Sequence, residues 1–427
     1  MCSLNKEQRI VRVAFDTLGC KLNQSETEAL TEKFLKSGYR IVNPEEEFDI
    51  YVLNTCTVTH IADRKARHLL RMAHRRNPNA VLVAAGCYVE HAANDLLKIE
   101  GVKLAVGNKE KMRLPQLLKE SGLVAADRHD FPAGYYSDNQ RTRSFIRIQD
   151  GCNNFCSYCI VPYVRGREKS VSPEQVVTKI KDKVLSGFKE VVLTGTEIGS
   201  YNYDGLSLIE LIGIILKETS IERLRLSSLQ PQEVTPDLIS LWKDEKRLCP
   251  HFHLSLQSGS DSVLKRMRRL YTTDDYASAI SLIRSVAGDA GVTTDIIVGF
   301  PGETDDEYAE SYDFCNKIGF ARIHVFSYSK RRGTAANIMP NQISPQLKKM
   351  RSDMMLALAE ESASAFYGSF IGKRLEVLWE QEANGIWNGY SANYIKVCAE
   401  SDKDLTNVIT EVSVKSLYGG GVWANII

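Results

Sequence analysis

The 427-residue sequence contains no apolar run approaching the roughly eighteen residues that a membrane-spanning helix needs, so none is expected. The opening MCSLNKEQR has no apolar signal core, and a cytoplasmic location follows as the expectation. No repeat of solenoid period and no low-complexity tract is present. An excess of one charge is also missing. Lys+Arg number 54 against 53 Asp+Glu, a net charge of +1, which excludes a globally basic nucleic-acid binder and leaves only local patches. Cysteine is scarce: ten residues are too few for a disulfide scaffold, and grouped thiols in a reducing compartment point to metal or catalysis. What is present, 43% apolar and 25% charged residues, belongs to a folded globular chain, and the length calls for more than one hydrophobic core.

The first 120 residues alternate apolar runs at Ile10 to Phe15, Phe48 to Leu53, Ala80 to Ala85 and Lys103 to Val106 with helical patterns at Glu26 to Ser37, Ala62 to Arg76 and His91 to Ile99. This is the pattern of a parallel α/β layer over residues 1–126. A polar stretch over 127–143 reads as a linker. The pattern restarts over 144–370 with strands at Phe145 to Gln149, Glu190 to Leu193, Arg223 to Leu226, His251 to Leu256, Thr293 to Val298 and Arg322 to Phe326, each followed by a helix-like segment. Six βα units make a partial or complete (β/α)6 barrel, with functional residues expected beyond the carboxyl ends of its strands. Pro345 to Phe370 reads as one long helix, and residues 371–427 alternate as a small β-barrel does.

The sharpest motif is Cys152-Asn-Asn-Phe-Cys156-Ser-Tyr-Cys159, just beyond the first barrel strand. Three thiols within eight residues converge only on a turning loop, which Gly151 and two asparagines favour. A 4Fe-4S cube with three protein ligands keeps one iron open for chemistry, and a zinc knuckle is the plainer alternative. Cys20, Cys56 and Cys87 are 36 and 31 residues apart and carry no local metal signature. Each follows a predicted parallel strand, where ligands of open α/β sheets gather, so the residues leave open either a second cluster or three buried, inert thiols.

C-x3-C-x2-C after the first strand of such a barrel resembles the radical S-adenosylmethionine (SAM) enzymes. Together with the three spread cysteines, DRKAR, HLSLQSGSDSVLKRMRRLYT, TTDIIVGFPGET and HVFSYSKRRGT, it resembles the methylthiotransferases over nearly the whole chain. GCKLNQSET and NTCTVTHIADRK look most like the members acting on threonylcarbamoyladenosine in tRNA. The resemblance implies two 4Fe-4S clusters, one on Cys152, Cys156 and Cys159 and an auxiliary one on Cys20, Cys56 and Cys87. It also implies two SAM molecules per turnover, one donating a methyl group to sulfur and one supplying the radical that activates carbon 2 of the adenine. A tRNA anticodon stem-loop, a low-potential electron donor such as a flavodoxin-like protein, and a sulfur donor are the implied partners. Phe155 and Tyr158 lie where similar enzymes shield the cube or pack the adenine of SAM, and Gln257 and Ser258 resemble residues near SAM.

Other residues are read from their chemistry. Glu197, in LTGTEIGSY, is placed to accept from the SAM ammonium group, and Arg268 offers a fork for its carboxylate. The turn in DIIVGFPGE resembles the part of the radical SAM fold that contacts the nucleoside of SAM, which implies that it lies close to it. Arg64, Arg67, Arg71 and Arg75 fall on one helical stripe. With Lys265, Arg266, Arg268 and Arg269, and with Lys330, Arg331 and Arg332, they are candidate phosphate contacts. The C-terminal module resembles the TRAM domain, yet from Phe366 it holds five Lys+Arg against seven Asp+Glu, which argues against simple phosphate binding. Its aromatics Trp379, Trp387, Tyr390, Tyr394, Tyr418 and Trp423 either stack bases or fill the barrel. The same chemistry on isopentenyladenosine or a ribosomal-protein aspartate is the near alternative, and a non-catalytic iron-sulfur RNA-binding sensor is the distant one.

Overall fold

Val- and Ile-rich runs that are buried along their whole length mark strands with helices on both faces, and Ile50–Thr55 is such a run, with all six residues buried. In the computed structural model, which describes residues 10–123 and 142–427, it is the centre of a parallel sheet. The strands are β1 (Arg12–Thr17), β2 (Arg40–Val42), β3 (Ile50–Thr55), β4 (Val81–Gly86) and β5 (Val102–Val106), in the order β2-β1-β3-β4-β5. Two apolar cores cover its faces, one around Leu53, Leu70 and Leu82, the other around Val13, Phe34 and Val52. The edge strand β2 has only three residues and was not expected. Helix α1 (Lys21–Lys36) starts five residues before the predicted Glu26, because Gly19 at φ +105° turns the chain and Cys20 takes the N-cap. Helix α2 spans His60–Arg76, and α3 (Cys87–Leu97) starts at the cysteine itself rather than at His91.

The described chain forms two compact units. One comprises the residues up to 123 together with Ile160–Gly166, the other the residues from 142 to Cys159 and from Arg167 to Ile427. Sequence pattern assigned 160–166 to the barrel. These residues instead fold with the first unit, because Ile160 and Val164 pack on Cys87 and the Arg165 guanidinium is bound by Glu26. The linker expected over 127–143 lies outside the described residues except for Thr142 and Arg143, as does Cys2.

The second unit is built on six parallel strands, Arg143–Arg147, Glu190–Thr194, Arg223–Leu226, His251–Leu254, Gly291–Val298 and Arg322–Ser327. The first three pair with one another and the last three with one another; the short strand Ser228–Leu229, just after the third, pairs with His253 and Leu254 of the fourth, and a bridge from Leu224 to Leu248 lies beside it. Among the described residues the first and last strands do not pair, so the barrel is partial. Its floor is polar. Arg225 and Glu190, both fully buried, form a two-pronged ion pair at 2.7 and 3.0 Å.

Residues 374–426 close into a five-stranded barrel around Trp379, Val397 and Val412. Trp379 is fully buried with its indole N–H donated to Thr410 at 2.7 Å, and Trp387 is also core, so neither presents a face to RNA. Tyr394 stacks on Tyr390 with ring centres 5.1 Å apart and lies under the guanidinium groups of Arg225 and Arg143. These two tyrosines therefore join the module to the barrel floor. Of the six aromatics, Tyr418 is left 44% exposed, in edge contact with Trp423.

Candidate metal centres

The C-terminal ends of β1, β3 and β4 are neighbours in the sheet, and each delivers one cysteine: Cys20 caps α1, Cys56 follows β3, and Cys87 opens α3. Two glycines allow the approach. A Cβ on Gly19 would stand 2.7 Å from the Cβ of Cys56, and one on Gly86 would stand 2.6 Å from Asn54 Oδ1. Burial pushes the Cys56 thiol up to about 12, and the charges of Cys20 and Cys87 push it in the same direction, so the three sulfurs lie within electrostatic reach of one another. Beneath them, Asn23 donates to the carbonyls of Leu18 at 2.6 Å and Thr55 at 3.1 Å, fastening two of the cysteine loops together. Thr55 Oγ1 donates to Ala85 O at 2.6 Å and accepts from the N–H of Tyr88, tying in the third.

A buried charged cluster supports this floor. Glu26 accepts from both arms of Arg165, each at 3.1 Å, and from Lys111. Burial alone would raise the Glu26 carboxyl, but Lys111 and Arg165 outweigh it and hold the group ionised at about 2. Sequence reasoning missed Asn23 and Glu26 because α1 was started too late; counted from a Cys20 cap, they fall on successive turns beneath it. Lys111 and Arg165 arrive from 85 and 139 residues away from Glu26, and no local pattern announces them.

In the second unit, Gly151 at φ +74° opens the Cys152–Cys159 loop. Gln149, fully buried, bridges this loop to the Glu197 loop: its amide donates to Gly151 O at 2.8 Å, and its carbonyl accepts the N–H groups of Thr196 and Glu197 at 3.0 Å. Cys152 Sγ lies 3.1 Å from Glu197 Oε2, and burial followed by the Glu197 charge raises that thiol above its ordinary range. Asn154 holds the same carboxylate at 2.7 and 2.8 Å. The guanidinium reaching the loop belongs to Arg269, which donates to Cys156 Sγ at 3.2 Å and Gln230 Oε1 at 2.9 Å; Arg268 is the exposed, left-handed C-cap of helix Asp261–Met267. Arg269 was read from the sequence as a phosphate contact rather than as a partner of Cys156, and Gln230 carried no motif signal.

Phe155 is 37% exposed with the Arg167 guanidinium 4.5 Å from its ring centre, while Tyr158 packs on Val263, Met267 and Phe300. Gln257 holds φ +71°, a conformation unusual for a side-chain-bearing residue, and is fixed by backbone bonds to Asp295 and Ile297; Ser258 is buried beside it.

Cys152 Sγ lies within 4.8 Å of carboxylate oxygens of Glu168 and Glu197, while Cys156 and Cys159 supply further thiols on the same loop. Trios of sulfur donors with amide and cation donors around them fit a thiolate-held polynuclear iron-sulfur anion.

The candidate phosphate contacts divide. On α2, Arg64, Arg71 and Arg75 are exposed, while Arg67 lies over the Tyr88 ring. Arg266 is paired with Glu307 at 2.6 Å, Arg269 is turned to Cys156, and Arg331 is 2% exposed, which removes these three from an outward basic surface.

In the GFPGE turn, the N–H groups of Gly299 and Phe300 are donated to Glu303, whose carboxyl is pushed up to about 7 by burial against the opposing pull of Arg351. Because that value exceeds the ordinary 4.5, the folded state holds more protons between the two, and stability present at acid pH is withdrawn as pH rises through 7. Glu303→Gln is expected to flatten the fall in thermal midpoint from about pH 5 to about pH 8, by roughly 1–3 kcal/mol at the alkaline end. Parallel pH profiles for variant and parent would refute this.

Comparison with known proteins agrees with this geometry. Residues 146–315 match the Radical SAM superfamily, and residues 12–107 match a family described as "Uncharacterized protein family UPF0004". The chain is 35% identical over 420 residues to the threonylcarbamoyladenosine tRNA methylthiotransferase MtaB of Bacillus subtilis, covering 94% of this chain and 93% of that one. It is 33% identical to the tRNA-2-methylthio-N(6)-dimethylallyladenosine synthase of Acetivibrio thermocellus, covering 96% and 90%. Among solved structures, the radical SAM methyltransferase TsrM of Kitasatospora setae shares the fold, with a TM-score of 0.57 at 15% identity over 77% of each chain. Similarity to both methylthiolating relatives extends from the spread-cysteine sheet through the partial barrel to the C-terminal module, and the chain is a member of the radical SAM tRNA methylthiotransferase family.

Proposed function

We propose that this enzyme replaces the hydrogen on carbon 2 of N6-threonylcarbamoyladenosine, next to the tRNA anticodon, with a methylthio group. Cys152, Cys156 and Cys159 hold one 4Fe-4S cluster and Cys20, Cys56 and Cys87 the other. When bound, the first supplies the electron that cleaves SAM to a carbon radical, and the second supplies the sulfur. The C2 hydrogen would leave in 5′-deoxyadenosine with methionine as the other product, the C2–S bond would form with its surplus electron taken up by the auxiliary iron-sulfur centre, and a second SAM would give its methyl group to the sulfur and leave as S-adenosylhomocysteine.

The chain's own residues prepare this chemistry. Glu197, oriented by Asn154, is placed to accept from the SAM ammonium group beside Cys152. Arg269 stabilises negative charge on the Cys156 sulfur. Exposed Arg64, Arg71 and Arg75 offer phosphate contacts to tRNA, whose unpaired anticodon loop lowers the cost of turning the target base outward.

The observation that carries the substrate is the 35% identity, over nearly the full length of both chains, to a relative named for threonylcarbamoyladenosine. The 33% relative named for dimethylallyladenosine supports the second reading. Anaerobic reaction with SAM, dithionite and tRNA bearing either modification decides between them. Nucleoside mass spectrometry is expected to show methylthio product from the threonylcarbamoyl substrate at ten-fold or greater preference; product only from the dimethylallyl substrate would overturn the assignment.

A further inference from the structure

The cluster beneath Cys20, Cys56 and Cys87 is built with unusual investment. The side chains of Glu26, Lys111 and Arg165 are only 1%, 1% and 3% exposed. Ionic groups at such burial are costly, and apolar side chains of similar volume often serve stability as well or better. Their connections run to sulfur. Asn108 Oδ1 accepts from Lys111 Nζ at 2.8 Å, while its Nδ2 donates to Cys87 Sγ at 3.5 Å and to Val164 O at 2.7 Å. Asn23 Oδ1 accepts from Arg165 at 2.5 Å and, at 3.9 Å, from the Cys20 thiol, a bond given up once that sulfur is a thiolate. Lys111 thus reaches Cys87 through one amide, while Arg165 acts on Cys20 by its charge, against the burial that raises that thiol.

A cube carried on thiolates is an anion and becomes more negative on reduction, and nearby charge and hydrogen bonds to sulfur set how readily it accepts the electron. Resting on the reading that these cysteines hold such a cube, we propose that Lys111, acting through Asn108, and Arg165, held by Asn23 and acting by its charge, both clamped by Glu26, form a cationic floor that sets its reduction potential. All five are positioning residues. Removing a cation lowers the potential, removing the carboxylate raises it, and removing both members of the Glu26–Lys111 pair leaves the net charge, and therefore the potential, close to the parent value.

The test uses the full chain carrying Cys152→Ala, Cys156→Ala and Cys159→Ala, reconstituted anaerobically with iron and sulfide so that one cube remains, in a redox titration followed by electron paramagnetic resonance. Lys111→Met is expected to shift the midpoint down, Glu26→Gln to shift it up, and the double variant to return toward the parent. If Lys111→Met is lost to misfolding, Arg165→Gln supplies the same sign of change, and opposite shifts for it and Glu26→Gln are still required. Shifts of one sign for both, or none, overturn the floor while leaving the cluster reading intact. A triple-cysteine parent without iron removes the cluster reading and the proposal together.

Discussion

Cys152→Ala is expected to abolish SAM cleavage, by about 10³-fold or more, while leaving a reconstituted cube on Cys20, Cys56 and Cys87. Cys20→Ala should do the converse, forming 5′-deoxyadenosine on incubation with SAM and dithionite but yielding no methylthiolated nucleoside. The contrast follows from construction. The Cys152 loop is fastened by Gln149, Glu197 and Arg269, all in the second unit, whereas the Cys20 loop is fastened by Asn23 and the strand ends of the first. Iron and sulfide counting should show about one cube lost from each variant. Loss of both cubes from either single change would mean collapse of the fold, and retention of both would disqualify the substituted cysteine as a ligand.

The second large effect concerns stability. Glu190→Gln leaves the Arg225 guanidinium fully buried without the carboxylate it grips at 2.7 and 3.0 Å, and is expected to cost about 3–5 kcal/mol. Arg225 also donates to Ala392 O at 2.8 Å and lies over Tyr394, so the damage reaches the C-terminal barrel. Urea unfolding followed by tryptophan fluorescence should show a lower midpoint, with Trp379 and Trp387 reporting the same transition as the far-ultraviolet signal. Replacing both partners by leucine should recover part of the loss, since the uncompensated charge is then gone. A cost below about 1 kcal/mol for Glu190→Gln would show the pair to be dispensable.

How much of this was readable in the chain depended on the range of the interaction. The six barrel strands were placed to within two or three residues, and Arg223–Leu226 without error, because apolar runs bounded by helix signals are local. The sequence allowed Cys20, Cys56 and Cys87 to meet but left it open, and the observed order of β1, β3 and β4 as neighbours delivers the residues that follow them to one edge. The start of α1 was missed because a cysteine N-cap makes no side-chain cap bond and resembles no capping motif. Charged residues misled where tertiary partners claimed them: Arg266 and Arg331 read as surface cations, yet one is tied to Glu307 and the other is buried. In the C-terminal module, Tyr394 was indistinguishable in pattern from a base-stacking aromatic, and only contacts with Arg143 and Arg225, 251 and 169 positions earlier in the chain numbering, reveal its place.

The return of Ile160–Gly166 to the first unit makes that unit discontinuous along the chain. No single cut separates the two modules cleanly. A fragment ending in the linker would keep Glu26 and Lys111 but forfeit Arg165, and a complementary fragment would carry a loose seven-residue strap. Any exchange of the first unit between relatives must therefore transplant two stretches of sequence at once.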